Sequence, residues 1–124
     1  MSLFDKTIDT LHKSLDLHLQ RQTVIQDNIA NAETPGFKAR KVEFEQALQQ
    51  AVTNEEQGIN GIQMMDVEAT VSQDPVSEMG QDLNTVDMDR EMAAMTKNET
   101  QYSASTQIIN KKFGLLKYAI GEGN

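Results

Sequence analysis

The sequence predicts a mainly α fold: long N- and C-terminal helices form an antiparallel, coiled-coil-like hairpin, with a short third helix and an irregular or weakly β middle segment. First, apolar residues near both ends recur at alternating spacings of four and three, the repeat of one helix face. Second, the middle of the chain lacks this repeat and contains several Gly and Pro residues. Third, 38% hydrophobic and 5% aromatic residues are few for a compact globule of 124 residues.

Residues 3–32 form the first predicted helix. Its predicted packing seam consists of Phe4, Ile8, Leu11, Leu15, Ile25 and Ile29. The same register passes through His18 and Gln22, so the centre of this helix face is polar. Polar residues inside a coiled-coil seam lower its stability but specify which residues face each other.

Residues 87–120 form the second predicted helix, and their repeat is more regular. The predicted seam consists of Met88, Met92, Met95, Tyr102, Ile109, Phe113, Leu116 and Ile120. Only Glu99 and Thr106 interrupt it, and Asp87 is placed to cap the N-terminus. The methionines at its start suit either ordinary core packing or an adaptable contact with several neighbours, and the spacing favours neither.

The two helices are predicted to pair with Phe4 opposite Ile120, which sets His18 beside Thr106. Polar layers of one helix then meet layers of the other that also contain polar residues. Leu19 and Leu115 stay outside this seam. A two-helix hairpin with such exposed apolar residues needs further partners, so the pattern is typical of a subunit rather than a monomer.

The chain divides into three segments of one structural unit. Residues 1–52 comprise the first helix, a turn containing Asn, Pro and Gly, and a short amphipathic helix expected at 42–52. Residues 53–86 form an acidic, irregular segment, in which Asn60-Gly61 is a hairpin signal and alternation over 62–71 predicts a weak strand or two. Residues 87–124 contain the second long helix.

The charge distribution restricts the classes of partner. Residues 41–87 hold one basic and ten acidic side chains, whereas each end of the chain is nearly neutral. An acidic protein is not expected to bind nucleic acid, which requires a basic surface. No apolar run approaches the length of a membrane span, so no direct span is expected. The N-terminus also lacks the basic and apolar regions of a secretory signal.

No catalytic motif is recognisable, and the absence of cysteine excludes thiol chemistry. One helix stripe, composed of Asp5, Asp9, His12 and Asp16, could hold a metal ion on spacing alone. A solvated outer face is the more common use of such a stripe. We therefore expect no catalytic residues, no metal and no cofactor, and we expect that the chain is not an enzyme.

The stretch from Asn28 to Lys38 is the most informative part of the sequence. Pro35-Gly36 suits the two central positions of a type II turn. A helix end followed by a turn does not explain why Asn28 and Asn31 occur on an otherwise apolar face, since Asn is a poor helix former. Their amides could satisfy backbone groups of the turn or of a neighbouring chain.

This stretch resembles the N-terminal signature of flagellar axial proteins, Asn-x-Ala-Asn-x-x-Thr-x-Gly-Phe/Tyr. The matching residues are Asn28, Ala30, Asn31, Thr34, Gly36 and Phe37, with Pro35 inside the motif. The C-terminal part narrows the resemblance, because residues 86–92 and 102–117 are similar to proximal proteins of the flagellar basal-body rod. The small size agrees, since hook and distal rod proteins carry inserted domains. Residues 53–79 match no pattern of the family.

The resemblance implies a structural subunit of the bacterial flagellar basal-body rod, which polymerises through its terminal helices and transmits motor torque. It implies a periplasmic rod location, reached through the flagellar type III export apparatus without a cleaved signal peptide. The implied partners are copies of the chain and other rod proteins of the FlgC, FlgF, FlgG and FliE types. Two alternatives remain open from the residues: a cytoplasmic helical adaptor or secretion chaperone that does not polymerise, and a small metal-dependent enzyme using the acidic stripe.

Overall fold

A computed structural model describes residues 3–75 and 80–122, with side chains for 6–75 and 80–121. The elements, in chain order, are α1 (Leu3–Ala30), β1 (Arg40–Glu43), α2 (Glu45–Gln57), a 3-10 turn (Met64–Asp66), β2 (Thr70–Gln73) and α3 (Met88–Glu122). The two long helices pack against each other. The predicted mainly α fold, with a short third helix and a weakly β middle segment, is therefore confirmed. The side chain of Phe4 lies outside the described residues.

The apolar core is built without α3. It consists of Leu17 and Val24 of α1 with Val42, Phe44, Ala51, Met64 and Val67. Thus α1 uses two faces, one toward α3 and one toward the sheet and the 3-10 turn. The second face does not follow the predicted seam, because Leu17 and Val24 fall outside that 4-3 register.

The two strands form an antiparallel sheet of residues far apart in sequence, with a register from Arg40 opposite Gln73 to Glu43 opposite Thr70. The hairpin that Asn60-Gly61 signals is not formed, and this expectation was wrong. The Asn54 side chain instead donates to the carbonyl of Ile62 (3.1 Å), a backbone group that a local hairpin would use.

The short helix also differs from the prediction, because α2 begins at Glu45 rather than at residue 42. Val42 belongs to β1, where its side chain is buried and its carbonyl accepts hydrogen bonds from Arg21. The helix ends at Gln57 and is capped by Gly58, whose φ of +64° lets the next N–H, of Ile59, bond the carbonyl of Asn54 (2.9 Å). Glycine adopts this left-handed conformation without the steric cost of a Cβ atom.

Candidate functional site

The turn after α1 has the predicted type II features. The Phe37 N–H donates to the carbonyl of Thr34 (3.2 Å), which closes the turn across Pro35 and Gly36. Gly36 has a φ of +75°, the conformation that this position of a type II turn requires. The glycine is therefore needed for its backbone, and the turn redirects the chain from α1 toward β1.

The polar residues of the signature anchor this turn to the chain itself. The Asn31 side chain donates to the carbonyl of Asp27 (2.8 Å) and accepts from the Thr34 hydroxyl (3.2 Å). The amide of Asn84 donates to the carbonyls of both Asn31 and Thr34 (2.8 and 2.7 Å). For Asn31, the structure thus favours one of the two uses left open by the sequence, which is to satisfy backbone groups of the turn.

The segment just before α3 lies along the turn. The Gly36 N–H donates to the carbonyl of Asp82 (2.9 Å), and the Thr85 N–H donates to the carbonyl of Phe37 (3.0 Å). The Thr85 hydroxyl accepts from the Ala39 N–H (2.7 Å). Asn84 and Thr85 are buried, but they could not be predicted as site residues, because neither belongs to a motif or a periodic pattern.

Asn28 performs a different task from the rest of the signature, since it binds β1. Its side chain is fully buried, and it donates to the carbonyl of Arg40 (2.7 Å) and accepts from the Arg40 N–H (3.0 Å). It also hydrogen-bonds Glu91 of α3. Burial raises the pKa of the Glu91 carboxyl above its ordinary value of 4.5, and the Asn28 hydrogen bond opposes this only in part. Asn28 therefore connects α1, β1 and α3.

A polar layer joins the middles of the two long helices. The Asn98 side chain donates to the carbonyl of His18 (2.8 Å) and to the Gln22 side chain (2.9 Å). Its oxygen therefore faces Nδ1 of His18 at 2.7 Å and accepts the proton of that nitrogen. The predicted polar layer exists, but its partner was wrong: His18 faces Asn98 rather than Thr106. The helices are displaced from the predicted register by about one to two turns, because these hydrogen bonds, rather than apolar spacing, select the pairing.

The described side chains of the predicted α1 seam are at least partly buried, whereas the predicted α3 seam contains both half-buried and exposed residues. Buried or half-buried seam residues are Ile8, Leu11, Leu15, Ile25, Ile29, Met95, Tyr102, Ile109 and Leu116. Exposed seam residues are Met88, Met92, Phe113 and Ile120, and the burial of these four residues stays a prediction for the assembled protein. An α-helix has 3.6 rather than 3.5 residues per turn, so a strict 4-3 stripe drifts away from a straight contact. Glu91 and Asn98 occupy the inward positions instead.

Arg21 binds α2 and β1 to α1. Its guanidinium pairs with the Glu45 carboxylate and lies over the Phe44 ring, 4.1 Å from the centroid. The ring of His18 meets the same Phe44 edge-on. The hydrogen bond from Arg21 lowers the pKa of Glu45 from 4.5 to about 2. These contacts were not anticipated, because Arg21 lay outside every pattern of the sequence.

The acidic stripe of α1 is on the surface. His12 and Asp16 are exposed and lie 3.8 Å apart, and the side chain of Asp5 is outside the described residues. Among the side chains that the structure describes, no group of three or more His, Asp or Glu residues is arranged to hold a metal ion. No helix in the described part of the chain is sufficiently long and apolar to cross a membrane.

The geometry therefore combines a helical hairpin with a turn whose signature residues bind the start of the second helix. These are the features that relate the sequence to flagellar rod proteins. A family model described as "Flagella basal body rod protein" matches residues 8–38, which contain the whole signature.

Similar proteins cover nearly the whole chain. The flagellar basal body rod protein FlgB of Borrelia hermsii is 37% identical over 122 residues, or 87% of this chain and 90% of the relative. The FlgB proteins of Bacillus subtilis and Aeromonas hydrophila are each 35% identical to this chain. The similarity covers 99% of both sequences for the Bacillus protein and 96% of both for the Aeromonas protein. The chain belongs to the FlgB family of flagellar basal body rod proteins. The predicted resemblance to proximal rod proteins is thus confirmed.

Proposed function

We propose that this chain is a structural, non-enzymatic subunit of the flagellar basal-body rod, which polymerises through its terminal helices and helps transmit motor torque. The proposal rests on the family and on one structural observation. The C-terminal half of α3 exposes large apolar residues on more than one side, although α1 already covers another side. The apolar residues concerned are Ile108, Phe113, Leu115, Tyr118 and Ile120.

The positions of these residues around α3 show that they lie on sides of the helix that α1 does not cover. Successive residues of an α-helix are about 100° apart, and half-buried Ile109 and Leu116 mark the side toward α1. By this spacing Leu115, which is 61% exposed, lies about 100° to one side of that contact. Phe113, which is 52% exposed, lies about 40° to the other side. Large apolar residues thus extend well beyond the side that α1 covers, and exposed apolar surface of this kind marks an interaction site, so α3 is suited to contact other subunits.

The partners follow from the same surface and from the family. We infer that α3 and the outer side of α1, where Leu19 is exposed, contact copies of the chain and other rod proteins of the FlgC, FlgF, FlgG and FliE types. A subunit of the rod would reach the periplasm through the flagellar type III export apparatus. The polar layer at His18 and Asn98 supports a role in holding the two helices in one register under load, since polar pairs penalise a slipped pairing.

Substitution of the exposed stripe tests the proposal directly. Leu115→Asp and the matched control Asn110→Asp would each replace the native chain in a flagellated strain that lacks its own copy. We expect Leu115→Asp to abolish swimming and to be absent from purified basal bodies, because a carboxylate cannot be buried unpaired without a large cost. Asn110→Asp should swim normally. Circular dichroism of both purified chains would show the same helix content, because residue 115 is exposed in the free chain.

Two outcomes would contradict the proposal. One is a Leu115→Asp chain that enters basal bodies and supports normal swimming. The other is a wild-type chain that is absent from purified basal bodies but forms a stable cytoplasmic complex, which would favour the helical adaptor.

A further inference from the structure

The two-stranded sheet has an open edge that the helical contacts do not involve. One edge of β1 is paired with β2, and the other is bound by side chains of α1. Among the residues that the structure describes, β1 is the one strand that pairs with β2. Its outer edge is therefore the part of the sheet that could accept another strand.

The contacts of β1 reveal which backbone groups of β2 face outward. Both the N–H and the carbonyl of Arg40 bond Asn28, so residues 40 and 42 point away from β2. In an antiparallel pair, residues alternate between the two edges. Lys41 and Glu43 therefore bond Ser72 and Thr70, their partners in the register. The N–H and carbonyl groups of Val71 and Gln73 then point outward, where they bond no group in the part of the chain that the structure describes.

The side chains of β2 do not protect this edge. Natural edge strands are usually shielded by charged residues, proline or a bulge, whereas Thr70–Gln73 contains neither charge nor proline. Val71 is 47% exposed, although its cross-strand partner Val42 is buried. An added strand would cover Val71 and satisfy the outward groups, which is how β-augmentation gains its affinity.

The charges beside the strand specify its partner. Of the three acidic side chains in residues 60–75, Asp74 is nearly buried and paired with Arg90 of α3 (2.8 Å), whereas Asp66 and Glu68 are exposed. At the Thr70 end lies a groove of about 490 Å³ that Glu43, Glu45 and Gln50 also line. Both carboxylates are largely exposed even though each is paired with a base on its own chain. A long cationic side chain could enter this groove and contact them.

We propose that β2 accepts an extended segment of a partner protein as a third strand, and that this segment carries Lys or Arg. The contact does not use the exposed apolar residues of α3, so it can fail while the rod function stands.

Binding of a defined peptide to the full-length, ¹⁵N-labelled chain tests the proposal. The probe is acetyl-Lys-Thr-Val-Thr-Val-Thr-Lys-amide, and the matched control has Glu at both ends. We expect the lysine peptide to bind about tenfold more tightly at low salt, with the preference reduced at high salt. On binding, the amides of Val71 and Gln73 should exchange more slowly with solvent. Those of Thr70 and Ser72, already bonded to β1, should change little.

Two controls separate strand addition from adhesion by charge alone. Val71→Pro removes an outward N–H and leaves the bonds to β1 in place, so it should abolish binding while the Val42 and Phe44 resonances persist. If this variant does not fold, a lysine peptide N-methylated at its three central residues gives the same test and should not bind. Equal binding of the lysine and glutamate peptides, undiminished binding of the methylated peptide, or protection away from Val71 and Gln73 would overturn the proposal.

Discussion

The apolar core and the α1–α3 seam are two packing regions of the same helix, and they are stabilised differently. On one side of α1, Leu17 and Val24 join a continuous apolar cluster. On the other side, the most buried α3 residues are Glu91 and Asn98, and large apolar residues remain in water. The core is complete within one chain, whereas the seam specifies a pairing and leaves apolar surface for others. This difference is expected if one region folds the subunit and the other assembles it.

The largest effect should come from the core. Leu17→Ala should lower the free energy of unfolding by about 2–5 kcal/mol, because the side chain is 1% exposed. Leu115→Ala is the matched control and should change it by less than about 0.5 kcal/mol. Urea denaturation followed by circular dichroism measures both. Equal losses for the two leucines would show that the core and α3 are not energetically distinct.

The parts that sequence could predict are those determined by local chemistry. The Pro35-Gly36 turn follows from the dihedral angles of two residues, and the long helices follow from their repeat. The pairing of β1 with β2 could not be predicted, because a four-residue strand carries little signal and its partner is about 30 residues away. The seam register depends on Asn98 finding His18, a choice among hydrogen bonds that apolar spacing does not contain.

The polar layer provides the next test. Asn98→Ala removes the acceptor of His18 Nδ1 and the donor to two oxygens, so it should cost about 1–3 kcal/mol. Asn110→Ala, on the exposed side of the same helix, should be neutral or slightly stabilising because Ala is the better helix former. The same denaturation experiment applies. An Asn98→Ala chain as stable as wild type would mean that the layer does not select the register.

The turn should be less sensitive than the polar layer within one chain. Gly36→Val places a β-branched residue at φ +75° and should cost about 1–2 kcal/mol. No atom of the described residues lies within 4 Å of the added Cβ, so the cost is backbone strain and not a clash. Gly114→Ala in α3 is the control and should stabilise the chain by about 0.5–1 kcal/mol. In cells, we expect Gly36→Val to impair swimming; normal swimming would contradict the importance of this turn.

The pH dependence of stability distinguishes two carboxylates. The pKa of Glu91 is raised in the folded chain, so the folded state binds its proton more tightly and stability declines as pH rises from about 4.5 through the raised pKa. Glu45 acts oppositely: its folded pKa of about 2 makes stability fall as pH drops from 4.5 toward 2. Glu91→Gln should reduce the loss of stability above about pH 4.5, and Glu45→Gln should reduce the loss of stability below it. Urea midpoints across pH measure this, with Glu56→Gln as an exposed control. An unchanged upper slope in Glu91→Gln would refute the assignment.

The smallest effect on the isolated chain should come from Phe113, a predicted seam residue that the structure leaves half exposed. If the 4-3 seam held within one chain, Phe113→Ala would cost about 3–5 kcal/mol. Because the ring is half exposed, we expect less than about 1 kcal/mol, close to the effect of Lys111→Ala on the exposed surface. Swimming should separate the two variants. A neighbouring subunit in the rod would cover the Phe113 ring, so Phe113→Ala should impair swimming, whereas Lys111→Ala removes no apolar contact and should swim normally. A large loss of stability in the free Phe113→Ala chain would restore the predicted intrachain seam. Normal swimming with that variant would mean that the exposed ring is not an assembly contact.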